Sequence, residues 1–210
     1  MTHPAAARRM MLGASALCVA AAAGLFWQYA HLPATAFEPP AEDVCIVPPS
    51  RQSVAHAYDP ASGLEIFAAR PVPADARCPV CGMYPARFAK WAAQVIFEDG
   101  SAHFFDSPVD LFMFLAEPAR FDASHSSGHV AALYVSDFNG SGWTDARAAA
   151  YVLGSSARGP MRGPDLPAFA DEAAARSFAT ERGGRVLRFA EIRGDTLAGL
   201  RDATHSRHMH

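Results

Sequence analysis

Cys78 and Cys81, within "CPVCGM" (Cys78 to Met83), are the reactive side chains best spaced to act together. Two thiols at this spacing serve as a redox couple, as half of a zinc site, or as a grip on a soft metal. In a thioredoxin-like couple the first cysteine opens a helix after a buried strand, which lowers its pKa. Here "PVPADAR" is a poor strand before the pair, and Gly82 and Pro85 make a poor helix start after it. A zinc knuckle shares the C-P-x-C-G pattern, because the glycine lets the backbone turn both sulfurs toward one ion. Closed structural zinc needs two further ligands, and no second cysteine pair follows. Cu(I) is soft and accepts two to four ligands, and "CPVCGM" offers two thiols and the Met83 thioether within one turn. The residues therefore favour copper, with a thiol-disulfide oxidoreductase and a structural zinc module as the competing readings.

Other soft or borderline donors are scattered. Met161, in "RGPMRGP", lies where no apolar periodicity explains it, so it is a candidate thioether ligand, with gap-filling under the loop as the plainer role. Met113 falls on an apolar helix and reads as core. His103, on a hairpin strand, is a further candidate ligand, with a surface or hydrogen-bonded histidine as the commoner role. His125 and His129 lie in a Ser/Gly loop and read as solvated, and the tail "HSRHMH" (His205 to His210) would collect copper only loosely.

The elements that must position these residues follow from patterning. "WAAQVIFE" and "SAHFFD" flank Asp99-Gly100, a strong hairpin signal. Asp106 or Ser107 then caps the helix "PVDLFMFLA", apolar nearly all round, and "VAALYVSDF" is a further strand. After Asn139-Gly140-Ser141-Gly142 the order recurs: strand "ARAAAYVLG", a Gly/Pro-rich loop, strand "AFA", the Asp171-capped helix "EAAARSFATER", and strand "RVLRFAEI". Asp106, Asp110 and Asp137 fall at element ends, where capping is the expected role. Strand, strand, helix, strand occurring twice predicts an α+β fold of two related ββαβ units.

The chain reads as five segments: residues 1–36 as signal peptide or membrane anchor, 37–76 as a Pro/Ala-rich tether, 77–138 and 139–193 as the two units, and 194–210 as a flexible His-containing tail. Leu64 to Ala68 is the one stretch of the tether that could pair as an edge strand. Arg8 and Arg9 before the apolar run Met10 to Trp27 mark an export signal. "ATA" (Ala34 to Ala36) would permit cleavage, while the run's length and Trp27 and Tyr29 would suit retention as a membrane helix. Cys18 sits inside the run without a lipidation context. Cys45, Cys78 and Cys81 are then exported, an odd number, so at least one thiol is free, shared or held by a metal. The net charge of −3, with acids and bases interspersed, gives no basic stripe for nucleic acid.

Taken in order and spacing, "CPVCGM", "WAAQVIFEDG", "FFDSPVDLFMFL", "LYVSDF", "ARAAAYVLGSSARGPM" and "AFADEAAARSFATERGGRVLRFAEI" resemble the NosL family, accessory proteins of nitrous oxide reductase in denitrifying bacteria. The resemblance covers roughly Ala76 to Ile192. It implies a periplasmic protein, tethered to the inner membrane, that binds Cu(I). Its partners would be nitrous oxide reductase or its ABC-type membrane assembly machinery, its role would be a metallochaperone's rather than an enzyme's, and its units would be somewhat like those of organomercurial lyase. The family's Cys-Gly-Met motif falls on Cys81, Gly82 and Met83, and its methionine loop on Met161. Cys78 is an addition. The loop departs from the family's Gly-Gly-Met-Gly, because Pro160 precedes and Arg162 follows the methionine. The resemblance thus implies Cu(I) ligands at Cys81, Met83 and Met161, to which the reading of the residues themselves adds Cys78 and His103 as candidates.

Overall fold

The computed structural model describes residues 54–140 and 142–208. The expected signal or anchor, its cleavage triplet, Cys18 and Cys45 lie outside the described residues. Among those described, no helix is long and apolar enough to cross a membrane.

A first antiparallel sheet has the order β2-β1-β3-β4, built from β1 (Ala93–Phe97), β2 (Ala102–Phe105), β3 (Val130–Ser136) and β4 (Trp143–Asp145). The β1–β2 hairpin closes at Gly100, whose φ of 80° suits a residue without Cβ. All five residues of β1 are buried because both faces of the strand are covered. Val95 and Phe97 join the main core, while Ile96 packs with Ala102, Phe104 and Ala76 on the other side. Gln94, facing the second side, is satisfied by the Arg70 backbone: the Arg70 N–H donates to Gln94 Oε1 and Gln94 Nε2 donates to the Arg70 carbonyl, both at 3.1 Å. The approach to the core is therefore docked on the sheet. The piece expected to pair at Leu64–Ala68 is a run of turns that follows the short 3-10 helix Pro60–Ser62 and left-handed Gly63. The edge pairing falls instead on His56, which bridges Ala102.

Helix α1 (Pro108–Ala116) starts at N-cap Ser107, whose Oγ accepts the Asp110 N–H at 3.3 Å, with Pro108 in its first turn. A short helical turn, α2 (Pro118–Phe121), follows the break at Glu117. The second antiparallel sheet, order β6-β5-β7, contains β5 (Ala150–Leu153), β6 (Ala168–Phe169) and β7 (Arg185–Arg188), with α3 (Glu172–Arg182) between its last two strands. In both sheets the first strand of the ββαβ order lies between the second and the third. One core gathers Val95 and Phe97 of the first sheet, Leu111, Phe112 and Phe114 of α1, and Tyr151 and Leu187 of the second sheet. Helix α1 thus packs against both sheets, which is why it is apolar nearly all round.

Two elements differ from the sequence expectation. Strand β4, just past the glycine-rich break, extends the first sheet by an edge strand. The tail is helical as α4 (Gly194–His208), because Leu197 and Leu200, three apart and so on one helix face, are both buried in the main core.

Candidate metal centre

The two cysteines sit on a turn that the backbone closes by itself. The Cys78 N–H donates to the Met83 carbonyl and the Gly82 N–H donates to the Cys78 carbonyl, both at 2.9 Å. Gly82 takes a φ of 75° to make this return, a conformation that costs a residue with a Cβ. The turn rests on the start of α1. Cys78 Sγ donates to Asp110 Oδ2 at 3.3 Å, and Cys81 Sγ donates to Asp106 Oδ1 at 2.9 Å. One ligand atom from each of Cys78, Cys81, Asp106 and Asp110 lies within 4.8 Å of every other. Both thiols are free; Cys78 is buried and Cys81 half-buried, so the site has a closed side and an accessible one.

The electrostatics of the cluster favour protons on sulfur. Burial, reinforced by Cys81 and Asp110, pushes the Cys78 thiol well above its ordinary value. A hydrogen bond from Cys78 draws the Cys81 thiol down, but burial and the charges of Asp110 and Asp106 outweigh it and carry the group up to about 12. Burial, with Asp106 next to it, also raises the Asp110 carboxyl. Behind this pair lies Asp165, pushed up to about 7 by burial although the Leu166 N–H, the Ser107 hydroxyl and the Val109 N–H all point to it. Asp106 Oδ2 is buried and has no hydrogen-bond partner.

The structure brings Cys78 and Cys81 together and places Met83 in the same turn. Met161 is 48% exposed, at the tip of a loop closed by an Arg158–Pro164 bridge and a Gly159 N–H to Gly163 carbonyl bond of 3.0 Å. That loop is rooted next to the site, because Asp165 directly follows it and packs so closely on Gly159 that a Cβ there would lie 2.1 Å from Asp165 Oδ2. His103 is not among the donors gathered with the thiols. It is buried with its Nε2 2.8 Å from Asp122 Oδ2, an oxygen that also lies 2.7 Å from Nδ1 of His125. His125, expected to be solvated, stacks on Phe97 with ring centroids 3.9 Å apart. Sequence reasoning missed Asp106, Asp110 and Asp165 as parts of the site. The available signal was an acidic residue, Asp110, in the first turn of a helix otherwise apolar and buried.

A curated relative, the copper-binding lipoprotein NosL of Stutzerimonas stutzeri, is 36% identical over 124 residues, which is 55% of this chain and 60% of that protein. The chain therefore spans less than two thirds of that relative's length. The crystal structure of the copper chaperone NosL from Shewanella denitrificans superposes with a TM-score of 0.52 at 26% identity, covering 61% of this chain and 98% of that one. Both relatives are named for handling copper, and neither for catalysing a reaction. Residues 69–197, more than half of the chain and inclusive of both cysteines, α1 and the Met161 loop, match the family whose description is NosL, and the chain belongs to the NosL family.

Proposed function

We propose that this chain is a Cu(I) metallochaperone, tethered to the inner membrane on its periplasmic side, that passes copper to nitrous oxide reductase during assembly of its copper centres, in concert with an ABC-type membrane machine. The observation that carries the copper reading is the pair of free thiols on one glycine-closed turn, one buried and one half-buried. Cu(I) is satisfied by two soft donors, so a site with one reachable sulfur holds the ion and still lets an incoming thiolate, thioether or imidazole replace the ligands one at a time. Met161, exposed on a loop rooted beside the site, is the thioether that would meet the ion on its open side, with Met83 as the nearer alternative. We read the repeated ββαβ order as two related units whose shared core fixes this turn. His103 has no part in the first capture of the ion, since its ring is committed to Asp122.

A thiol-disulfide oxidoreductase built on Cys78 and Cys81 would need a thiolate near neutral pH. Burial and the two carboxylates work against that, which leaves metal-driven deprotonation as the use of the pair that fits.

The test is an anaerobic Cu(I) titration of the reduced full-length chain in detergent against a chromophoric Cu(I) chelator, with the tail histidines replaced in parallel to remove loose binding. The expected outcome is one tightly held copper per chain, weakened about tenfold or more by Cys81→Ser and about threefold by Met161→Leu. Failure to compete with the chelator, or binding indifferent to Cys81, overturns the copper reading. Delivery is tested separately: copper-loaded chain restores the copper spectrum of apo nitrous oxide reductase, and the Cys81→Ser variant does not.

A further inference from the structure

The carboxylates of the site have no role in holding Cu(I), which prefers sulfur. They are nevertheless central to its construction. Asp106 is fully buried, its Oδ1 lies 2.9 Å from Cys81 Sγ, and its Oδ2 has no hydrogen-bond partner. Such a group is rarely left unpaired in a native interior without a missing ion or water. Among the described residues, no lysine, arginine or histidine forms an ion pair with Asp106 or Asp110. Two sulfurs and two carboxylates therefore converge with no protein cation to neutralise them.

We infer that Asp106 and Asp110 are ligands that, with Cys78 and Cys81, complete a four-donor S2O2 site for a borderline divalent cation of the Zn2+ type, an alternative occupant of the proposed copper site. The spacing suits it. Tetrahedral zinc with bonds of about 2.3 Å to sulfur and about 2.0–2.2 Å to carboxylate oxygen has donor-to-donor edges of roughly 3.3–3.8 Å. The sulfur–carboxylate separations of 3.3 and 2.9 Å are hydrogen-bond distances at or below the short end of those edges, and no donor pair exceeds 4.8 Å, so side-chain shifts of about 1 Å or less would bring the four donors to a tetrahedron. Binding would release the two thiol protons, together with the proton that burial keeps on Asp110, to solvent in exchange for the ion, and no electrons move. The two metals would then differ in how they use one cavity: Zn2+ takes all four donors, while Cu(I) takes the sulfurs and leaves the carboxylates as bystanders.

This inference rests on the same thiol pair as the copper reading, and the experiment separates the two. The reduced full-length chain is titrated anaerobically with Co2+ as a spectroscopic stand-in and then back-titrated with Zn2+, beside the Cu(I) titration above, using wild type, Cys81→Ser, Asp106→Asn and Asp110→Asn. The expected result is intense tetrahedral ligand-field bands with thiolate-to-cobalt charge transfer in the wild type, bleached by Zn2+ and absent in Cys81→Ser. Octahedral binding by tail histidines gives only weak bands without charge transfer. In Asp106→Asn and Asp110→Asn the affinity for the divalent ion should fall about tenfold or more relative to that for Cu(I). A wild type that binds Cu(I) but shows no cobalt–thiolate band overturns the inference and leaves the copper reading standing. Asp variants that lose both metals in equal measure also overturn it, since the carboxylates would then merely hold the thiols in place. Cobalt–thiolate binding without Cu(I) binding sinks the copper reading and keeps the four-donor site.

Discussion

Arg162 follows Met161 and holds a φ of 60°, the one non-glycine residue among those described with a left-handed backbone. The bond that holds it there runs from its N–H to the Gly159 carbonyl at 2.8 Å. A left-handed conformation costs an L-residue about 1–2 kcal/mol, so Arg162→Gly should stabilise the chain by about 1 kcal/mol, read by chemical denaturation. Asp165, at the base of the same loop, carries a pH dependence. Because burial raises its carboxyl to about 7, the folded chain keeps a proton that the unfolded chain releases, and stability falls as pH rises from the ordinary carboxylate range through about 7. Asp165→Asn should remove part of that fall, gaining about 1–3 kcal/mol at pH 8 relative to pH 4. A thermal melt series across pH that declines equally in both proteins would contradict this. At this scale the thiols were legible because cysteines are few and their spacing is chemically distinctive. Asp106 and Asp110 were not, because an acidic residue near a helix start looks the same whether it caps the helix or faces a sulfur across the fold.

Among the elements, the loop between α2 and β3 is pinned to the β1–β2 hairpin by a histidine. His125 reaches Asp122 Oδ2 with Nδ1 at 2.7 Å and Asp99 Oδ2 with Nε2 at 3.2 Å, so it bridges two acids. Partial burial lowers its pKa, but the two carboxylates outweigh that and leave it raised. A raised histidine contributes stability that is full below its unfolded value and lost as pH rises through the folded one. Amide exchange at Asp99–Ser101 and Ser124–His129 should therefore speed up, after correction for intrinsic rates, as pH passes from about 6 to about 8. His125→Phe, which keeps the stack on Phe97 without the charge, should abolish that pH dependence. The strands, hairpin and both capped helices could be read from periodicity and cap residues such as Ser107 and Asp171, since those signals are local. Strand β4 could not, for Trp143–Asp145 is too short to show a period and is defined only by its pairing with Tyr134, Val135 and Ser136.

At the scale of the whole molecule, α4 closes the core from the end of the chain. Leu197 and Leu200 are 7% and 6% exposed, which the polar composition of the surrounding sequence concealed. Leu197→Ala and Leu200→Ala should each cost about 2–4 kcal/mol in equilibrium unfolding, and a loss below about 0.5 kcal/mol would show the helix to be dispensable. The α+β class was legible from the order of elements, but the sharing of one core by two sheets was not, because it depends on which faces meet. The turn bearing Cys78 and Cys81 precedes its carboxylate partners by 32 and 25 residues. During synthesis the bare thiols must therefore emerge first and wait, unsheltered, until the hairpin and α1 have followed. Were the chain threaded in the same order into an oxidising compartment, as proposed above, that interval would be when the pair is most open to closing on itself, and the yield of usable protein would be set by a race between disulfide formation and the arrival of the next thirty or so residues.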